Sequence, residues 1–262
     1  MQSLKSILLL FFASLFFISC EKVIEVDVRD ADKKLVIEGV LTDQQGDCLV
    51  KVSRTKALSS TNEAEAVSGA LVQIKDGDGT LVQLTETSAG TYRSDLVGQP
   101  GASYELMVKV EGQVYSAVSQ MPASIPIDSV YVSVMDMMGE QQYVTHIVFT
   151  DPMEPGNAYR FVQYENATKN DQFMVLKDNL SNGRKNSVSF FHTNNELKKG
   201  DRIRVQLQSI DPAVYTYWYS LWRGATGEGN ATSPANPVTN IRGGSLGYFS
   251  AQAVHAREII VL

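Results

Sequence analysis

Apolar and polar residues alternate with a period of two along most of this chain, from Lys34 onward. Such alternation is typical of β-strands that bury one face. Gly, Asp and Asn residues separate the alternating segments at intervals of about 8–12 residues, a spacing typical of β-sandwiches. The clearest segments are KLVIEGVLT, CLVKVSRT, ALVQIKD, SYELMVKVEG, YVTHIVFTD, AYRFVQYE and DRIRVQLQS. The pattern therefore predicts a mainly β protein.

The tetrapeptide Asp76-Gly77-Asp78-Gly79 lies between two alternating segments. Asp-Gly in this position is a strong signal for a β-hairpin turn. The alternative is a calcium-binding loop, which needs about twelve residues ending in a bidentate glutamate. Here the strand pattern resumes at Thr80. We therefore predict a hairpin rather than a metal site.

Two prolines, Pro122 and Pro126, interrupt the alternation near the middle of the chain. Proline cannot donate a backbone hydrogen bond, so it is disfavoured inside a sheet. We expect a domain boundary here. The prediction is a β-sandwich at residues 34–124, followed by a second β-rich domain at residues 125–262.

One segment of the second half has a helical pattern. Asp211 can cap a helix whose first residue is Pro212, and Gly224 can end it. The sequence thus predicts a short α-helix near residues 211–223.

Aromatic side chains of this helix recur at i, i+3, i+4 and i+7: Tyr215, Trp218, Tyr219 and Trp222. Burying aromatic surface is strongly favourable, so we expect this face to pack on a sheet. The alternative is a platform that binds a sugar ring or a partner protein. We expect Tyr217 and the loop at residues 227–237 to be the more exposed part. Tyr217, Trp218 and Trp222 are therefore the candidate contacts with a ligand or partner.

The start of the chain follows a different pattern. Lys5 precedes the apolar run Ile7–Ile18, which is long enough for a secretory signal but too short to span a membrane. Ser19 and Cys20 follow, and this arrangement resembles a bacterial lipobox, although Phe17 replaces the usual leucine. We predict a lipoprotein signal peptide at residues 1–19 and a lipidated tether at residues 20–33. The alternative is an ordinary signal peptide with a chance cysteine.

Lipidation of Cys20 would decide where the protein resides. Two or three acyl chains exceed what stable membrane anchoring requires. Acidic residues directly after Cys20 favour the outer membrane, with the cell surface as the expected location and the periplasmic face left open. Cys48 then has no cysteine partner within the chain. We expect Cys48 to be a small buried hydrophobic residue.

Composition narrows the possible functions. The formal net charge is −6, and an acidic balance without basic clusters argues against nucleic-acid binding. The apolar content of 44% is that of a globular protein.

Catalytic and metal-binding motifs are not evident. The three histidines, His146, His192 and His255, fall on separate predicted strands without metal-binding spacing. We found no phosphate loop or nucleophile elbow. We therefore predict no enzyme activity, no catalytic residue, no metal and no cofactor other than the lipid on Cys20. A glycan hydrolase is the alternative, and it would need two carboxylates about 5–10 Å apart, from acids such as Asp151, Glu154, Glu165 and Asp211.

Several segments together resemble a known family: LVIEG near Val36–Gly39, PGASY at Pro100–Tyr104, PIDSV at Pro126–Val130, GDRIRVQLQSIDPAVYTYW at Gly200–Trp218 and NPVTNIRGGSLGYFSA at Asn236–Ala251. They are similar to Bacteroidota-type outer-membrane lipoproteins catalogued as a domain of unknown function of the four-thousand series. Members are often encoded beside TonB-dependent receptors, which implies an accessory part in nutrient capture. The resemblance also implies an immunoglobulin- or prealbumin-like fold for the first domain.

These observations combine into one expectation. We expect an outer-membrane-anchored lipoprotein that acts as an accessory or substrate-capture partner of a TonB-dependent transporter. Its partners would be the membrane and the receptor, and the sequence names no ligand. A surface enzyme acting on glycans and a structural or adhesive surface lipoprotein are the alternatives.

Overall fold

The computed structural model describes residues 33–56, 64–137, 139–178, 182–192, 197–226 and 236–262. The predicted signal peptide, Cys20, most of the tether and most of the predicted loop at 227–237 lie outside these residues. Within the described residues, no helix is both long enough and apolar enough to cross a membrane.

The secondary-structure elements are, in chain order, β1 (Leu35–Thr42), β2 (Cys48–Arg54), β3 (Glu65–Ala66), β4 (Leu71–Lys75), β5 (Leu81–Gln83), β6 (Thr85–Ser88), β7 (Thr91–Ser94), β8 (Ser103–Val110), β9 (Gln113–Gln120), β10 (Ile127–Met137), β11 (Glu140–Thr150), β12 (Ala158–Glu165), β13 (Thr168–Lys177), β14 (Lys185–Phe191), β15 (Arg202–Ser209), α1 (Pro212–Thr226) and β16 (Leu246–Ile260).

The strands form three sheets. The largest has nine strands in the order β13-β12-β15-β16-β1-β2-β7-β6, with β3 beside β2. A four-stranded sheet has the order β5-β4-β8-β9, and a three-stranded sheet has the order β10-β11-β14. The prediction of a mainly β fold, with a β-sandwich, a second β domain and, in the described residues, one helix, is confirmed.

The last strand, β16, joins the two halves of the chain. Its first part runs parallel to β1, with Val36 opposite Leu246 and Thr42 opposite Gln252. Its second part runs antiparallel to β15, from Ser209 opposite Ala253 onward. A strand that follows the predicted boundary at residues 124/125 therefore completes the sheet of the first half. The nine-stranded sheet is continuous across both halves.

The inner face of the nine-stranded sheet packs on both smaller sheets. In the first half, Ile37 and Val50 contact a core that includes Leu106 of the four-stranded sheet. In the second half, Phe161 of β12 lies 5.4 Å, between ring centroids, from Phe149 of the three-stranded sheet. Alternation along each strand sends every second side chain to the opposite, outer face. Part of that outer face carries α1.

The structure confirms two local predictions, the hairpin at Asp76 and the burial of Cys48. The turn between β4 and β5 is the expected hairpin, because Asp76 Oδ1 accepts the backbone N–H groups of Asp78 and Thr80 at 3.1 and 2.8 Å. Cys48 is fully buried, as predicted, and burial raises the pKa of its thiol.

The helix begins at Pro212, as predicted, but its end was predicted wrongly. α1 continues through Gly224 to Thr226. A glycine inside a helix costs only about 1 kcal/mol relative to alanine, so it need not end one. Arg223 in the last turn interacts favourably with the helix dipole and supports the extra residues.

Candidate ligand-binding site

A basin with a volume of about 400 Å³ lies on the outer face of the nine-stranded sheet, beside α1. It is lined by side chains from β1, β2 and β7 of the first half, β12, β13, β15 and β16 of the second half, and α1. The site therefore exists only because β16 unites the two halves in one sheet.

Arg160 forms the buried wall of the basin. It lies on β12 and is 7% exposed. Its guanidinium carbon lies 3.7 Å from the ring centroid of Trp218 on α1, which is a close cation–π contact. Its Nη1 donates a hydrogen bond of 2.9 Å to Oε1 of Gln208 on β15. The helix and two strands thus hold the guanidinium in one orientation.

The positive charge of Arg160 is not neutralised by a carboxylate within the described residues, where no ion pair includes it. Its Nε has no hydrogen-bond partner there either. Burial lowers the pKa of Arg160, while Tyr248 and Tyr164 oppose that change. Arginine nevertheless stays protonated in proteins. The basin therefore contains a buried, unpaired cation.

Three further cationic side chains line the basin: Lys51 of β2, Arg93 of β7 and Lys169 of β13. The pKa of Lys169 is lowered, first by partial burial and then by the charge of Arg160. Asp171 and, to a smaller extent, Glu38 raise it, and Lys51 lowers it further. Charged side chains on strands that are not neighbours in the sheet are therefore close enough to affect one another's pKa values.

The charges of the basin do not balance. Its lining contains four cationic side chains and two carboxylates, those of Glu38 and Asp47. Glu38 lies directly opposite Lys51 in the pairing of β1 with β2. This local excess of positive charge contrasts with the net charge of −6 of the whole chain.

The rings of Trp218 and Tyr248 form the floor of the basin, where α1 meets β16, and Tyr217 packs behind them. The ring centroids of Trp218 and Tyr248 are 5.1 Å apart, and those of Tyr217 and Tyr248 are 4.7 Å apart. All three residues are buried. Burial raises the pKa of Tyr217 to about 12 and also raises that of Tyr248. Both hydroxyls are therefore uncharged at neutral pH.

The structure divides the predicted aromatic face. The buried stripe of α1 consists of Val214, Tyr217 and Trp218 with the partly buried Leu221, each one residue before a predicted position. Tyr215 is also partly buried against this cluster. The expectation that Tyr217 is exposed is wrong, because its ring packs on Tyr248. Trp218 lines the basin. Trp222 is 36% exposed and lies beside Tyr219 on the flank of the helix.

The acids considered for glycan hydrolysis are not brought together at the basin. Asp151 accepts a hydrogen bond from the Tyr159 hydroxyl. Asp211 caps α1, and Glu154 is exposed. These three acids lie in separate local structures, and none of them lines the basin.

The histidines are also separate. His146 lies between the hydroxyls of Ser133 and Ser189, at 2.8 and 3.0 Å. His255 Nδ1 accepts the backbone N–H of Ile127 at 3.1 Å. In the described part of the chain, no three His, Cys, Asp or Glu residues are grouped as metal ligands.

His192 is a buried histidine with a complete set of partners. Its Nδ1 lies 3.0 Å from Oε1 of Glu165, and its Nε2 lies 2.8 Å from the Thr145 hydroxyl and 3.3 Å from Gln163 Nε2. The amide can only donate to Nε2, so these partners assign the Nδ1–H tautomer. Burial lowers the pKa of His192, although Glu165 opposes the change.

We expect His192 to make stability depend on pH. Because its pKa is below 6.5 in the folded state, the unfolded chain takes up the proton first as the pH falls. The contribution of neutral His192 is therefore present above pH 6.5 and is lost below it, by at most about 1.4 kcal/mol per pH unit. Urea unfolding at about pH 7.5 and 5.5 measures this slope. His192→Asn should remove it, whereas a matched His146→Asn variant should keep it.

The cationic residues of the basin were not identified from the sequence. Charged residues on alternating strands normally lie on a solvated face. One signal was present: Arg160 lies in AYRFVQYE, a segment in which both alternating sets contain large apolar residues. Such a strand is covered on both faces, and an arginine within it is expected to be buried.

Comparisons with known proteins add a family but no function. A family model described as "Domain of unknown function (DUF4249)" matches residues 21–258, which confirms the resemblance to a family of that series. No curated protein matches the sequence. One similar solved structure is a two-fibronectin type III domain segment of chicken tenascin, with 8% identity and a TM-score of 0.23, covering 69% of this chain and 92% of that chain.

Proposed function

The chain belongs to the family described as Domain of unknown function (DUF4249), and for this member we propose a binding function without catalysis. The protein is an outer-membrane lipoprotein, anchored by lipid on Cys20, that captures a ligand for a TonB-dependent transporter. The cationic basin is its ligand site, and the cell surface is its location.

The basin is the observation that supports capture. Its volume of about 400 Å³ falls within the range of about 300–1,000 Å³ that small-molecule sites occupy. Arg160 is held in place by its contacts with Trp218 and Gln208. A prearranged site loses less conformational entropy when it binds.

The lipid anchor supports the partnership with a transporter. Anchoring confines the protein to the membrane that contains the receptor and raises its effective concentration there. Weak contacts between the two proteins then suffice, and the captured ligand is released close to the transporter. The exposed flank of α1 around Tyr219 and Trp222 is the contact surface we propose for the receptor.

A pull-down tests the partnership. Tagged full-length protein is extracted from outer membranes in mild detergent, beside a Cys20→Ala variant, and the co-purifying proteins are quantified. We expect a near-equimolar TonB-dependent receptor with the parent protein and little with Cys20→Ala. Recovery of the parent protein alone, at matched yield, would refute the partnership.

A further inference from the structure

We propose that the basin binds a compact polyanion, a solute that carries two or more carboxylate or phosphate groups. This inference deepens the proposed function by naming the class of ligand, and it rests on the basin being the ligand site. Arg160 and Lys169 would hold one oxyanion group, and Lys51 and Arg93 would hold the other.

The buried guanidinium of Arg160 has no carboxylate partner within the described residues. Burying a guanidinium without a counterion is unfavourable, and a fully satisfied site normally supplies a carboxylate or dipoles. Here the Trp218 ring and the Gln208 amide supply part of the compensation. Nε has no partner within the described residues. An oxyanion that reaches the guanidinium would supply the missing charge and accept further N–H bonds.

The number and placement of the other charges favour a ligand with more than one anionic group. Four cations against two carboxylates leave two positive charges. Glu38 is already opposite Lys51 in the sheet. The charges lie on strands from both halves of the chain, so a single small anion at Arg160 would leave the opposite side uncompensated. A ligand with at least two anionic groups on a short frame fits both sides.

The aromatic floor argues against a neutral sugar as the ligand. Stacking on a sugar requires an open ring face. Arg160 covers one face of Trp218, and Tyr217 and Tyr248 pack on one another and on Trp218. These rings are buried at 8–9% exposure. The rings orient Arg160, and the cationic side chains of the basin recognise the ligand.

Tryptophan fluorescence can report binding directly. The chain has two tryptophans, Trp218 in the floor of the basin and Trp222 on the helix flank. In a Trp222→Phe background, emission comes from Trp218 alone, whose ring lies against Arg160. Full-length protein in mild detergent is titrated with citrate in one arm and pyrophosphate in the other. Glucose and sodium chloride at matched ionic strength are the controls.

We expect a saturable change in Trp218 emission with citrate, pyrophosphate or both, and none with the controls. A response to one arm alone identifies carboxylate or phosphate as the recognised group. Arg160→Met should weaken the apparent affinity by at least about 30-fold. Lys169→Met should weaken it by about 5- to 10-fold. Lys109→Met, which removes an exposed cation from β8 of the four-stranded sheet, should leave the affinity unchanged.

Thermal unfolding separates a binding role of Arg160 from a structural one. If Arg160 serves binding, Arg160→Met retains or raises the midpoint of unliganded protein, because it removes a buried unpaired charge. A lowered midpoint with unchanged anion affinity would overturn the proposal. The proposal would also be overturned if neither citrate nor pyrophosphate gave a saturable response.

The two proposals fail separately. A negative titration with a receptor in the pull-down refutes the ligand class and leaves the transporter partnership. A saturable response to an anion without a co-purifying receptor refutes the transporter partnership and leaves the ligand class.

Discussion

Replacing Gly247 by alanine is expected to lower the free energy of unfolding by about 3–5 kcal/mol. Gly247 has a φ of +99° and lies opposite Ile37 where β16 pairs with β1. A Cβ atom there would lie 1.9 Å from the Ile37 carbonyl oxygen. The backbone of one strand would have to move, so the parallel pairing that unites the two halves would be disturbed. Urea unfolding followed by tryptophan fluorescence measures the loss.

Gly244→Ala is the matched control for Gly247→Ala. Gly244 lies three residues earlier and has a similar φ of +91°, but no atom lies within 4 Å of its virtual Cβ. Gly244→Ala should lower the free energy of unfolding by only about 1–2 kcal/mol, which is the cost of placing alanine at a positive φ. The difference between the two variants measures the close approach of β16 to β1. Equal losses would contradict the importance assigned to that contact.

Local sequence signals were enough to predict the elements. Alternation defines strands because a strand places successive side chains on opposite faces. The hairpin at Asp76 and the cap at Asp211 depend on hydrogen bonds within a few residues. Each can therefore be predicted from a short stretch of sequence.

Long-range pairing could not be predicted in the same way. β16 pairs in parallel with β1, more than half the chain away, and then antiparallel with β15. Alternation shows which residues share a face but does not identify the neighbouring strand. Pro122 and Pro126 interrupt the strand pattern, but they do not determine which sheet a later strand joins.

The residues of the basin could not be predicted for the same reason, because sequence alternation does not identify neighbouring strands. Lys51, Arg93, Arg160 and Lys169 are widely spaced in the sequence, and only the order of the strands brings them to one basin. The error at Tyr217 has a different cause. Counting aromatic residues alone shifted the predicted helix face, whereas the buried stripe also includes Val214 and Leu221. Aliphatic residues must be counted with aromatic ones to find the phase of a helix.

A continuous sheet has a consequence for binding. The basin takes residues from β1 and β2 on one side and from β12 and β13 on the other, with β15 and β16 between them. A ligand that contacts both sides therefore binds to the face of one continuous hydrogen-bonded sheet. Binding should also stabilise the folded protein, by a free energy that rises with the logarithm of the ligand concentration once the site is mostly occupied.

The buried carboxylate of Asp211 connects three elements. Its Oδ1 accepts the N–H groups of Ala213 and Val214 at 2.8 and 2.9 Å and so caps α1. Its Oδ2 accepts a hydrogen bond from the Ser119 hydroxyl. Ser119 Oγ in turn accepts the backbone N–H of Ala251 on β16 at 2.9 Å. One carboxylate thus links α1 to β9 and β16.

Asp211→Ala is expected to lower the free energy of unfolding by about 3 kcal/mol. The lost cap accounts for about 1–2 kcal/mol, and the buried Ser119 hydroxyl left without its acceptor accounts for the rest. Urea unfolding of the variant provides the measurement. Asp211→Asn keeps the acceptor for the two N–H groups and should cost only about 1 kcal/mol.

Asp76→Ala is the matched control, because Asp76 also accepts two backbone N–H groups on one oxygen, but in a solvent-accessible hairpin. It should cost about 1 kcal/mol. The Asp211 and Ser119 alanine variants should be non-additive in a double-mutant cycle, because each removes part of the same buried network. If Asp211→Ala costs no more than Asp76→Ala, or if the cycle is additive, the carboxylate acts only as a helix cap. The orientation of Trp218 beneath Arg160 would then depend on the packing of α1 alone.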